Sequence, residues 1–198
     1  MSLDHRDKIL QSLCPTVMVP KFSPLDPLHG PGHRFFAAAD GLWLEVRRPW
    51  LRLVWPLCCK AEVKMPYGEL EPSIEFSFDK VPEDLFRRFI SDAQNDHPLE
   101  SGAWLVWNEE AATLEYRKLR TIDGTNASLD VERPPLLPHE HLAVDLHSHG
   151  RDIPAFFSPE VDKDDAGEVK ISVVVGNLNS DTISIEMRLC ALGRQIPR

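Results

Sequence analysis

Between residues 34 and 55 apolar side chains recur at every second position. In "RFFAAADGLWLEVRRPWLRLVW", Leu42, Leu44 and Val46 alternate with Trp43, Glu45 and Arg47, and Arg52 falls between Leu51 and Leu53. A period of two belongs to a strand. Asp40-Gly41 sits between two apolar stretches and predicts a hairpin turn. "SIEFSFD" (73–79) alternates as well, with Ile74, Phe76 and Phe78 on one face. Ahead of these strands, "PKFSPLDPLHGPGH" (20–33) has no period and is rich in Pro and Gly, which makes it a loop. Residues 1–80 therefore read as a β-rich N-terminal part with a Pro/Gly-rich lead-in.

The period changes at Val81-Pro82. "PEDLFRRFISDAQND" places Leu85, Phe86, Phe89, Ile90 and Ala93 on one helical stripe. Pro82 suits the first helical position, Glu83 and Asp84 suit the positive end of the helix dipole, and Pro98 stops the helix. Strand patterns follow in "LESGAWLVWNEE" (99–110), in "ATLEYRKLRTID" as its partner, and in "SLDVERPP". Three more are "HLAVDLHSHG" (141–150), "EVKISVVVGNL" (168–178) and "TISIEMRLCALG" (182–193). A helix followed by mostly consecutive strands predicts an α+β domain over 81–198, with a mixed or antiparallel sheet.

Composition narrows the class. A chain of 198 residues, 42% hydrophobic, with five Trp and nine Phe, builds a core and is not disordered. No stretch approaches the ~18 consecutive apolar residues of a membrane span. "MSLDHRDKIL" carries acids where a signal peptide needs bases. The expectation is a cytoplasmic protein with no membrane partner. Cys58 and Cys59 are adjacent, while Cys14 and Cys190 are far apart, so the spacing gives neither a disulfide framework nor a CxxC zinc clip. Net charge is −9 and unevenly spread. Residues 71–198 carry thirteen Lys/Arg against twenty-four Asp/Glu, so nucleic acid is not an expected partner. The cluster Arg47, Arg48 and Arg52 reads as a solvated strand face.

Candidate chemistry gathers in "LAVDLHSHGRDIPAFFSPEVDKDD" (142–165). Residues i and i+2 of a strand share a face and stand ~6.6 Å apart, so His147 and His149 leave room for one ion between their rings. Zinc takes imidazole nitrogen at ~2.0–2.1 Å, and a catalytic site needs a third protein ligand. "FFSPEVDKDD" can supply it. Ser158, Pro159 and Glu160 look like the start of a helix, which would put Asp162 on the side of Ser158. Asp164 and Asp165 lie further on. Glu100, which follows the helix stop and opens an apolar strand, is the candidate base, held near the sheet edge. A second His-x-His, at His139 and His141, reads as loop residues at a strand entrance. Spacing alone leaves two readings open: a metal site, or two ordinary histidines beside a solvated acidic loop.

Residues 82–193 resemble the JAMM (MPN+, Mov34/PAD-1, JAB) metalloprotease domain. The matching residues are Glu100, then His147-Ser148-His149 some forty-seven positions on, then Ser158. Most of the chain is also similar to a protein of the PRTRC plasmid cassettes, through "HRFFAAADGLWLEVRRPW", "MPYGEL", "VDLHSHG", "PAFFS" and "DKDDAG". The resemblance implies an α+β, JAMM/MPN-like (cytidine-deaminase-like) mixed sheet with flanking helices. It implies zinc held by His147, His149 and an aspartate, Glu100 as general acid/base, and Ser158 as donor to the oxyanion. The bond cut would be an amide or isopeptide at the C-terminus of a ubiquitin-like or sulfur-carrier protein. An E1/ThiF-like protein is a further implied partner.

Three departures bear on this. Gly150 stands where the family usually has Pro, the segment from His149 to Ser158 is one residue longer than usual, and Val161 occupies the expected ligand position. Asp162 is the preferred third ligand, with Asp164 and Asp165 as alternatives. Asp145 shares the histidine face, either as a paired strand residue or as an acceptor that orients a ring. The rival to a metallopeptidase is a catalytically inactive MPN-type scaffold that binds other proteins of the cassette.

Overall fold

A computed structural model describes the chain except residues 1–2, 60–61, 63, 125–128, 151, 159–164 and 198. It divides into two compact units, 1–77 and 78–198.

The first unit begins with helix α1 (His5–Leu13), capped by Asp4, whose carboxylate accepts from the Arg6 amide at 2.8 Å. Five strands follow: β1 (Thr16–Met18), β2 (Gly32–Ala38), β3 (Gly41–Arg48), β4 (Leu51–Cys59) and β5 (Ser73–Phe76). They lie side by side in chain order, β1 parallel to β2 and the rest antiparallel. The β2–β3 hairpin turns at Asp40, whose carboxylate accepts from the Trp43 indole at 2.9 Å. Trp43 then joins Val19, Phe36, Ala38 and Val54 in the core.

Both faces of β3 are covered. Leu42 is exposed, whereas Glu45 is fully buried and bonded to Arg34 at 2.6 Å and Arg52 at 3.3 Å. The half-buried Arg52 thus joins an ion cluster around the buried Glu45 carboxylate and does not stand on a solvated basic face. The single face expected for Ile74, Phe76 and Phe78 is also corrected. Strand β5 ends at Phe76, which stacks on Trp50, and Phe78 belongs to the second unit, where it packs on Trp107.

In the second unit α2 spans Glu83–Asp96 with Pro82 at the N-cap, so the helix starts one residue later than expected. The stripe holds: Phe89 and Ala93 are buried, with Leu85, Phe86 and Ile90 half-buried beside them. The six-stranded sheet contains β6 (Gly102–Asn108), β7 (Thr113–Lys118), β10 (Glu140–Ser148), β11 (Val169–Gly176), β12 (Ser184–Ala191) and β13 (Arg194–Pro197). Their order is β13-β12-β11-β10-β6-β7, with only β10 and β11 parallel. The mixed sheet is the α+β, JAMM/MPN-like architecture expected.

One expected strand is two. "ATLEYRKLRTID" breaks at Leu119, which is buried against Trp104 and Val106. Beyond it β8 (Arg120–Gly124) leaves the sheet and pairs with β9 (Leu129–Glu132) as a separate ribbon. Leu129 and Val131 of that ribbon lie over Gly102, where a Cβ would approach Leu129 to 3.1 Å.

Candidate active site

The histidines stand at the end of β10, a strand with neighbours on both sides. His147 pairs across to Gly102 of β6 and alongside Val174 of β11. One residue on, the Ser148 amide donates to the Ser101 carbonyl at 2.9 Å, and the Ser101 amide donates to Ser148 Oγ at 3.0 Å. Continuing that register one step sets Glu100 opposite His149. Glu100 is 9% exposed. Sequence placed it at a sheet edge. The structure corrects this: it precedes β6, an internal strand, so it lies at the strand end.

A cleft of about 510 Å³ opens beside Glu100, lined by Asp96, Leu99, Lys118, Leu119, Arg120 and Thr121.

The two imidazoles lie 5.9 Å apart, centroid to centroid, and are tilted by 56°. Burial pushes His147 down to about 4, and the neighbouring His149 adds to the effect. His149 is lowered too, chiefly by burial, with the Pro154 backbone opposing. Both rings are therefore neutral at pH 7, the form that binds metal. The chain after His149 folds back on β11. The Asn177 amide donates to the Ile153 carbonyl at 2.9 Å, and a Cβ on Gly176 would come within 2.5 Å of the Ala155 nitrogen. Glycine at 176 is what lets this segment lie so close. The segment then lays Phe156 on the His149 ring at 4.5 Å.

A cluster that the sequence reading did not single out flanks the histidines. The Lys170 ammonium, 2% exposed, reaches Asp145 at 2.7 Å, Glu168 at 2.7 Å and Asp165 at 3.0 Å. Burial opposes its charge, but these carboxylates outweigh that and hold it above the ordinary lysine value. The Arg188 guanidinium donates to Asp165 Oδ2 at 2.6 Å and 3.2 Å and lies 3.7 Å over the Phe157 ring. His147 senses the charges of Asp165, Lys170 and Arg188. The available signal was a basic residue in each of two strongly apolar strands, "EVKISVVVGNL" and "TISIEMRLCALG".

The structure thus brings His147, His149 and Glu100 to one end of the sheet. Asp145 is bound to Lys170, the paired-residue alternative. Asp165 is bound by Lys170 and Arg188 on its two oxygens. Asp162 and Asp164 lie outside the described residues, as does the expected helix start at 159–160. Ser158 lies at their border and is half-buried. His139 and His141 stay apart from the site, facing Glu110 at 3.8 Å and Glu109 at 3.3 Å.

The donors present suit part of a zinc site. His149 Nδ1 is buried with no hydrogen-bond partner among the described residues, as an unused ligand nitrogen would be. Among the described residues no group of three His, Cys, Asp or Glu converges.

Among the described residues the second unit combines a mixed sheet, helix α2 and a His-Ser-His strand end. Residues 82–189 match the family model of prokaryotic homologs of the JAB domain, over half of the chain. The chain belongs to that family. Residues 4–77 match a domain of unknown function (DUF2016). No curated protein matches the chain.

Proposed function

We propose that this protein is a zinc-dependent metallopeptidase that cuts an amide or isopeptide bond at the C-terminus of a ubiquitin-like or sulfur-carrier protein. The observation that carries this is the neutral, closely set pair His147 and His149 with a buried carboxylate, Glu100, at the neighbouring strand end. His147 and His149 would hold the ion, with Asp162 as the third protein ligand. The ion supplies a Lewis acid and lowers the pKa of water bound to it. Glu100 would take the proton from the attacking water and pass it to the leaving amine. The Ser158 hydroxyl would donate to the oxyanion. The substrate tail would run through the cleft lined by Leu99 and 118–121, beside Glu100.

If the resemblance of the sequence to PRTRC cassette proteins holds, an E1/ThiF-like protein would be its companion. A catalytically inactive scaffold is the second reading, favoured by Val161 at the usual ligand position. Cleavage of a ubiquitin-like C-terminal fusion separates the two. Glu100→Gln should keep the zinc and lose at least about a hundredfold in rate, the usual scale of general acid–base catalysis. Full activity in that variant would remove Glu100 from the mechanism. Wild-type protein that binds zinc but cleaves no such fusion would favour the scaffold.

A further inference from the structure

Two segments meet at the candidate site. One runs from the end of α2 to Glu100. The other leaves His149 and lays Phe156 on its ring. Both are held by one turn, residues 177–180, which follows β11. The Ser180 amide donates to the Asn177 carbonyl at 3.1 Å, and Asn177 takes a left-handed φ of 56° that asparagine tolerates. On one side of the turn, the Gln94 side chain of α2 donates to the Leu178 carbonyl at 3.0 Å. There too the Asn179 side-chain amide donates to the His97 ring at 3.2 Å. On the other side, the Asn177 amide donates to the Ile153 carbonyl at 2.9 Å. The Asn179 backbone amide donates to Asp152 Oδ1 at 3.3 Å, and His97 Nε2 lies 3.8 Å from the same carboxylate. We propose that Asn179 is a positioning residue that braces the segment leading to Glu100 against the segment leaving His149. This role rests on the function proposed above.

Asn179 reaches both segments at once. Its side chain takes His97, three residues before Glu100, and its backbone takes Asp152, three residues after His149. The ladder between β10 and β6 ends at His147 and Gly102, so past that point the brace holds what strand pairing no longer does. On its far side Glu100 is followed by Ser101, which is fixed to Ser148. His97 is the anchor on the near side. Position matters here because a general base must stand within hydrogen-bond reach of the proton it takes. A misplacement of about 1 Å can cost about a hundredfold in rate. The cleft wall has bonds of its own. Asp96 accepts from Ser101 Oγ at 2.9 Å and pairs with Lys118 at 2.8 Å. Loss of the brace should therefore spare substrate binding and slow the chemical step.

The test is steady-state cleavage of a ubiquitin-like C-terminal fusion by the full chain equilibrated with zinc. Amide hydrogen exchange on the metal-free chain is the second readout. Asn179→Ala and His97→Ala should each lower kcat by about tenfold or more with KM unchanged. The double variant should lose little more than the larger single loss, because both changes remove one bond. His97→Gln, which keeps a partner for the Asn179 amide, should recover most of the rate. In Asn179→Ala, exchange should quicken together at 97–101 and 152–156, while β6, β10 and β11 stay protected and the denaturation midpoint stays at the wild-type value. A purely structural role would instead lower the midpoint and quicken exchange throughout the unit. Should His97→Ala not fold, Asn179→Ala decides, because Asn179 lies exposed in the turn. Folded variants with wild-type kcat, or a loss confined to KM, would overturn the proposal and leave the function reading standing. Wild type that cleaves no fusion would overturn the function reading. Exchange unchanged at either segment of Asn179→Ala would overturn the brace itself.

Discussion

A histidine ligates metal only after shedding its proton, and burial has already removed it from His147. In metal-free protein the His147 ring should stay neutral down to about pH 4, as followed by NMR titration. Titration near the ordinary value of 6.5 would mean the ring is solvated. Cys190 is shifted the other way. Burial, and then Asp165, raise its thiol to about 12, so it should resist thiol reagents at pH 8 in the folded state while exposed Cys58 reacts. Labelling followed by peptide mapping distinguishes the two. At this scale the sequence singled out His147, His149 and Glu100, which the structure brings to one end of the sheet. It was not legible for Lys170 and Arg188. A cation in an apolar strand acquires meaning only from its acid, and Asp165 lies in a connecting segment whose path no local pattern specifies.

The long, strongly periodic elements were read most reliably. Helix α2 announced itself through five apolar residues at helical spacing and an acidic first turn. Replacing Phe89, its fully buried member, with Ala should cost about 3–5 kcal/mol, by urea denaturation. The strands were found, and the β2–β3 and β6–β7 hairpin partners with them, but the long-range pairings that set β10 between β6 and β11 were not, because such pairing is a tertiary property. The break at Leu119 shows this. An alternating run reads as one strand until Leu119 turns into the core beside Trp104 and Val106. Gly176 was equally silent. It reads as a strand end, yet it admits the backbone of 153–155 against β11. Gly176→Ala should displace that segment, destabilise the fold by about 1–3 kcal/mol, and reduce zinc uptake. An unchanged denaturation midpoint would contradict the close packing.

Across the whole molecule, the division at 77/78 separates the residues matched by two different family models. The second unit carries the candidate chemistry. Its buried groups set an acid response for metal-free protein. His147 binds its proton less readily folded than unfolded, so stability should fall as pH drops from 6.5 towards about 4. Glu140 extends the loss. Hydrogen bonds from Arg117, and then from the Leu137 amide, hold it down at about 2, so its contribution is full above the ordinary value of 4.5 and fades between there and about 2. A denaturation midpoint that stayed flat from pH 6.5 to 4 would contradict the lowered proton affinity of His147 in the folded state.

The most direct measurement is the zinc content of the full chain after equilibration with zinc and removal of loosely bound metal. About one zinc per chain is expected if the proposed two-imidazole, one-carboxylate site forms. Glu100→Gln should retain it, and His147→Ala should lose it. Metal-free wild type, or zinc that survives His147→Ala, would contradict the account.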